Sequence, residues 1–223
     1  MITVHHLDHS RSQRILWLLE ELGLPYELRL YQRDPATLLA PPELRAVHPL
    51  GKSPVVTDAG QTLAESGAIL QYLLDAHDGA GTLIPPPGTP ERLRFNYWLH
   101  YAEGSLMPPL LVSLIMQRIH DAPVPFFIRP IVRAIAARVR AGWLGPELAR
   151  HLDFVEAELG RDGWFAGAAF SAADIQMSYP VEAAATRADL SARPNTRAWL
   201  ERIHARPAYQ RALARGGPAG VPG

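Results

Sequence analysis

A proline-rich break, Leu83-Ile-Pro-Pro-Pro-Gly-Thr-Pro90, separates two stretches of this chain that have different hydrophobic rhythms. Proline has no backbone donor and continues neither a helix nor a strand ladder. Whatever folds on either side must therefore end at the break. Before it, strand and helix signals alternate; after it, the pattern is helical throughout. The expected class is α+β. A mixed sheet with helices spans residues 1–80, a linker 81–89, an all-helical part 90–215 and a flexible tail 216–223. With 223 residues the chain can form one large domain or two small ones and bury roughly 70% of its unfolded surface.

The first part reads as follows. Ile2 to Leu7 is a short β-type run. Ile15, Leu18, Leu19 and Leu22 fall at i, i+3, i+4 and i+7, one face of a helix that Gly23 and Pro25 end. Tyr26 to Tyr31 alternates polar and apolar residues, and Pro42 to Val47 suits a short helix. Pro54 to Thr57 and Thr62-Leu63 flank Asp58-Ala-Gly60, which predicts a hairpin with a turn of three to four residues. Ile69, Tyr72, Leu73 and Ala76 return to helical spacing. The order is β-α-β-(α)-β-β-α.

In the second part, Arg92 to about Ile119 forms one long apolar helix. Ile128, Ile131, Val132, Ile135 and Val139 mark a second helical face, and Leu148, Leu152, Val155 and Leu159 a third. Ser171-Ala-Ala-Asp174 starts a fourth helix, and Trp199 with Ile203 lies on a fifth. No internal repeat is present.

Composition excludes several functions. There is no cysteine, which removes disulfides, thiolate metal ligands and an enzyme-borne sulfur nucleophile. Lys+Arg and Asp+Glu number 22 each, so no electrostatic footprint points to nucleic acid or an anionic membrane. The first residues, MITVHHLDHSRSQR, hold no apolar signal core. The longest charge-free apolar run, Leu106 to Met116, is too short to cross a bilayer and contains Pro108 and Pro109. A soluble, cytoplasmic protein is expected. His5, His6, His9 and Asp8 invite a metal site, but neighbouring strand residues point to opposite faces, so His5 and His6 do not chelate one ion.

Three places carry candidate chemistry. Ser10 and Gln13 fit an S-x-x-Q capping box, in which the serine oxygen takes a backbone N–H and the glutamine returns one. Gly51-Lys-Ser-Pro54 runs into a strand whose proline suits an edge or bend; spacing alone leaves its peptide bond trans. Glu65-Ser66-Gly67 opens a helix, where free amides and the helix dipole suit an anion. A glutamate beside that site fits a zwitterion, with a carboxylate for Ser66 and an ammonium for Glu65. A plain N-cap is the commoner explanation of such a serine.

Taken together, HSRSQR, GKSPVV, LAES and FSAADI make the chain resemble the cytosolic glutathione S-transferases, above all bacterial and fungal members. The resemblance covers nearly the whole chain. It implies a thioredoxin-like N-terminal domain with a four-stranded mixed sheet, an all-helical second domain, a homodimer, and glutathione as co-substrate with no tightly bound cofactor. It also implies that Pro54 is the family's cis-proline and that Ser53 offers its backbone to the cysteinyl part of glutathione. Glu65 and Ser66 would hold the γ-glutamyl group, and Lys52 the carboxylate end. Ser171 and Asp174 match a helix-capping device with a structural role. The electrophile pocket would be built from Tyr97, Tyr101, Met107, Leu110 and Phe126, with core or dimer contacts the equal alternative for the first four. Pro123 to Pro130 is either a packed interhelical loop or a lid or wall over that pocket.

In tyrosine-type relatives the phenol stands where this chain has His6, which argues against that mechanism. In serine-type relatives the hydroxyl matches Ser10; Ser12 and His9 are the alternatives. The activity implied is conjugation of glutathione to hydrophobic electrophiles. Rival activities are peroxide or disulfide reduction by glutathione, and non-catalytic ligand binding.

Overall fold

The computed structural model describes residues 1–217, so of the predicted tail only Gly216 and Gly217 are described. The first part contains β1 (Ile2–Leu7), α1 (Gln13–Leu22), β2 (Tyr26–Tyr31), α2 (Pro42–Val47), β3 (Val55–Asp58), β4 (Gln61–Ala64) and α3 (Ser66–His77). The sheet order is β2-β1-β3-β4. β1 runs parallel to β2, with α1 as the crossover a parallel pair requires, and antiparallel to β3. Val4 faces both Leu28 and Val56 across the ladder. This is the four-stranded, thioredoxin-like arrangement that the resemblance implies.

The hairpin is tighter than predicted. Asp58 pairs with Gln61, leaving a two-residue turn of Ala59 (φ 49°) and Gly60 (φ 81°). Two positive φ values match the right-handed twist of the flanking strands, and the turn type sets the loop length.

The remainder is helical: α4 (Pro90–Tyr101), α5 (Met107–Asp121), α6 (Arg129–Val139), α7 (Gly145–Asp162), α8 (Ala172–Ala185), α9 (Pro194–His204) and α10 (Pro207–Gly216). The predicted long helix is α4 and α5 joined by one π-helical turn, Ala102–Leu106; a second such turn, Arg140–Leu144, joins α6 to α7. Each wide turn leads into prolines, Pro108-Pro109 and Pro146. A proline ring clashes with the carbonyl one turn back and leaves a bond unmade, and widening the turn relieves both.

α1 buries seven consecutive residues, Gln13 to Leu19, because it is packed on several sides, by the sheet, α3, α8 and α10. α10 was not legible from spacing: its buried face is only Ala208, Tyr209 and Ala212. Tyr209 meets Trp17 edge-on at 5.0 Å, while Arg206 and Arg211 pair with Glu21 and Glu20. Gly216, assigned to the tail, is its last residue. The apolar stripe predicted on α6 is largely solvent-facing: Ala136 is buried, but Ile131 is 60% and Ile135 58% exposed. No helix among the described residues is long and apolar enough to cross a membrane.

Candidate functional site

The three candidate stretches converge. The loop between β1 and α1, the loop before β3 and the start of α3 enclose a cleft of about 270 Å³, lined by Arg11, Lys52, Ser53, Pro54, Glu65 and Ser66 among others. Gly51 takes φ +56° here, and a β-carbon on it would come within 2.6 Å of the Arg45 side chain, so this bend suits glycine. The Ser53-Pro54 peptide is cis. Lys52 is exposed and lines the cleft. Glu65, at φ 69°, sits at the N-cap of α3, and no side chain caps that helix. Its first-turn amides have no intrahelical acceptor and are free for an anion.

Beneath the cleft lies Arg14, 1% exposed. It donates to the Gln176 carbonyl (2.7 Å), to Ser66 Oγ (2.8 Å) and to Glu103 (2.6 Å). Glu103 comes from the π-helical turn after α4 and also accepts from Arg11 at 3.0 Å. Burial pushes the Glu103 carboxyl up, but Arg14 and Arg11 outweigh it and hold it below the usual range. Burial lowers the Arg14 pKa, and Glu103 opposes that. The pair thus fixes Ser66 and the cleft floor.

The predicted capping box at Ser10 does not form. Gln13's side-chain oxygen and nitrogen are buried with no partner among the described residues. Ser10 instead joins a chain of hydroxyls. His6 Nε2 lies 2.8 Å from the Gly216 carbonyl, which can only accept, so the ring hydrogen is assigned to Nε2 and Nδ1 accepts from Ser12 Oγ at 2.9 Å. Burial keeps the His6 pKa low, against the raising effects of Gly216 and Asp8. Ser12 has then spent its hydrogen and takes one from Ser10 across 2.6 Å. Ser10 is 6% exposed and Ser12 is fully buried behind it. Ser10 also approaches Ser53 Oγ, on the cleft wall, at 3.3 Å. His9 is exposed, at φ 49°, and lines a neighbouring cavity.

That cavity, about 300 Å³, shares Arg11 and Lys52 with the cleft. Met107 and Leu110 line it. Tyr97 and Tyr101 do not: four residues apart on α4, they face Phe154 and His151 of α7. The π-helical turn changes the helical phase, so the face of α4 does not continue into α5. Phe126 is 79% exposed in the loop before α6, edge-on to Phe127, and lines neither cavity; the segment from Pro123 is neither packed loop nor pocket wall. Tyr179 of α8 and Arg187, two residues past its end, take that place.

Ser171 and Asp174 form a complete capping box on α8. Asp174 accepts from Ser171 N–H (3.0 Å) and Oγ (3.2 Å), from Phe165 N–H (3.1 Å) and from the Trp199 indole (2.9 Å). Burial pushes its pKa up to about 6 against those bonds.

Sequence reasoning missed Arg11, Glu103 and Arg187. Arg11 stood inside the HSRSQR motif and was available; the other two reach the site only through helix packing.

Residues 1–75 match the family described as glutathione S-transferase, N-terminal domain, and residues 133–202 the glutathione S-transferase, C-terminal domain. The chain is 38% identical to glutathione S-transferase 1 of Saccharomyces cerevisiae, over 94% of this chain and 92% of that protein. A solved glutathione S-transferase from Actinobacillus pleuropneumoniae is 33% identical, with a TM-score of 0.83 over 98% of this chain and 94% of that one. A sphingomonad glutathione S-transferase complexed with glutathione is 27% identical, with a TM-score of 0.69 over 97% of this chain and all of the other.

Proposed function

The chain belongs to the glutathione S-transferase family of enzymes, and from that premise we propose that Ser10 stabilises the thiolate of glutathione for attack on hydrophobic electrophiles. The observation that carries this reading is the convergence of Lys52, Ser53, cis-Pro54, Glu65 and Ser66 on one cleft beside the start of α1. The Ser66 end of α3, with its uncapped amides, suits the γ-glutamyl carboxylate, and Glu65 suits the ammonium. The backbone at Ser53 suits the cysteinyl segment, and Lys52 the glycyl carboxylate.

A free thiol titrates at about 8.5, and lowering it to about 6.5 needs roughly 2.7 kcal/mol of preference for the thiolate. One hydrogen bond to a charged acceptor supplies about 1.5–3 kcal/mol. Ser10 has one hydrogen to give, which points at Ser12; on thiolate formation it turns to sulfur. The thiol proton leaves to water, the sulfur lone pair forms the C–S bond, and the leaving group departs with its electron pair. The same reading includes a cytoplasmic homodimer, a domain division at 81–89, and apolar dimer contacts from Leu93, Tyr97 and Phe154, all partly exposed on α4 and α7.

The test is the thiolate titration of bound glutathione, followed beside the pH profile of conjugation to an aryl halide. Ser10→Ala is expected to raise the apparent thiol pKa by about one to two units. An unchanged titration removes Ser10 from the role.

A further inference from the structure

Resting on that reading and narrowing its substrate class, we infer that the cavity beside the thiol site takes electrophiles whose apolar body carries a carboxylate or a similar anion. Arg11 and Lys52 border both spaces, so a molecule in the cavity lies next to the glutathione cleft. One wall is apolar, formed by Met107, Leu110, Leu111 and Leu114 of α5. The cavity also carries Arg33, Arg118 and Arg187, and no Asp or Glu among the described residues lines it. A neutral apolar electrophile has no use for that charge, since guanidinium groups drawn from water without an anion are unfavourable.

These cations are not neutralised from behind. Glu103 already serves Arg11 and Arg14. Arg33 donates to the carbonyls of Asp8, Leu38 and His9, all neutral acceptors. Arg187 is half-buried and donates to the Ala183 carbonyl and Thr186 Oγ1. Burial disfavours its charged form, with only the Tyr179 phenol acting the other way. Among the described residues no carboxylate pairs with Arg33, Lys52, Arg118 or Arg187. Glutathione itself leaves a surplus: its glycyl carboxylate meets Lys52, and its thiolate adds one charge at Ser10. An anion on the electrophile would be held by Arg187 and Arg118, while the apolar body lies along α5. A planar guanidinium fork suits a carboxylate in two parallel bonds.

The experiment uses the glutathione conjugates of 4-chloro-3,5-dinitrobenzoate and of its methyl ester, titrated into the full chain by calorimetry. The carboxylate conjugate is expected to bind about tenfold tighter at low salt, with the advantage shrinking as salt is added. The advantage collapses in Arg187→Gln and falls in Arg118→Gln, an exposed position whose change leaves the fold alone. Equal affinities, or an advantage that both variants keep, overturn the inference. So does an equal loss for free glutathione in those variants, because the cations then serve glutathione's own carboxylates. Turnover of the two aryl halides is read separately. Carboxylate preference without turnover keeps the anion site and removes the conjugation reading; turnover with equal affinities does the reverse.

Discussion

Two helices of this protein follow the same pattern, a serine with a polar residue three places on, and they begin in opposite ways. Before α8, Ser171 and Asp174 close a capping box, and the Asp174 carboxylate gathers four donors in a fully buried place. Before α1, Ser10 and Gln13 make no box. The Gln13 side chain has no partner among the described residues, and the Ser10 hydroxyl enters a chain that ends at His6. One helix start is satisfied by its own residues and is structural. The other keeps a hydroxyl hydrogen that can be redirected, which is what a thiolate site needs. The motif alone does not separate them; the third residue's fit does.

The largest effect belongs to the closed start. Asp174→Ala leaves the Trp199 indole and the Phe165 and Ser171 amides buried without an acceptor. The expected loss is about 3–5 kcal/mol, or roughly 10 °C in Tm for a chain of this size, measured by thermal unfolding. Glutathione affinity of the folded fraction stays at the wild-type value. A loss of affinity at unchanged Tm would mean that the box serves the cleft, and the contrast between the two helices would fail.

The next prediction uses the Asp174 pKa, pushed up to about 6 by burial against 3.8 in a free side chain. Between those values the folded protein holds a proton that the unfolded chain has lost. The stabilisation is therefore fully present below about 3.8 and disappears as pH rises through 6. Asp174→Asn cannot titrate. As pH falls from 7 to 5, the stability gap between wild type and Asp174→Asn should widen by about 1 kcal/mol, read by urea unfolding at each pH. A gap that narrows would mean the carboxylate is ionised throughout and held by its donors alone.

What the sequence made legible follows from range. The strands and α1 to α3 were readable because period-two runs, Gly23 and the turn residues act locally. The cleft was legible where it is built from three short stretches, each with its own backbone signature. The pocket was not. Tyr97 and Tyr101 are at correct helical spacing, yet the π-helical turn at 102–106 breaks the phase that the spacing argument assumes. Glu103 joins Arg14 across 89 residues of chain, a contact that no local pattern encodes. α10 escaped because an alanine-rich face of one tyrosine carries little periodic signal, although its last carbonyl sets the direction of the His6 hydrogen.

The smallest expected effect bears most directly on the open start of α1. Gln13 is 5% exposed, and both its polar side-chain atoms lack partners among the described residues. An unpaired buried amide costs free energy that an apolar side chain of similar shape does not. Gln13→Leu should therefore be neutral or more stable by up to ~0.5 kcal/mol, with the thiolate titration unaltered. If the capping box did form in solution, the same change would remove the bond returned to Ser10 and cost about 1 kcal/mol. The sign of this small number separates the two pictures of α1. A loss would make α1 begin as α8 does, with Ser10 tied to its own helix and not free to turn towards sulfur.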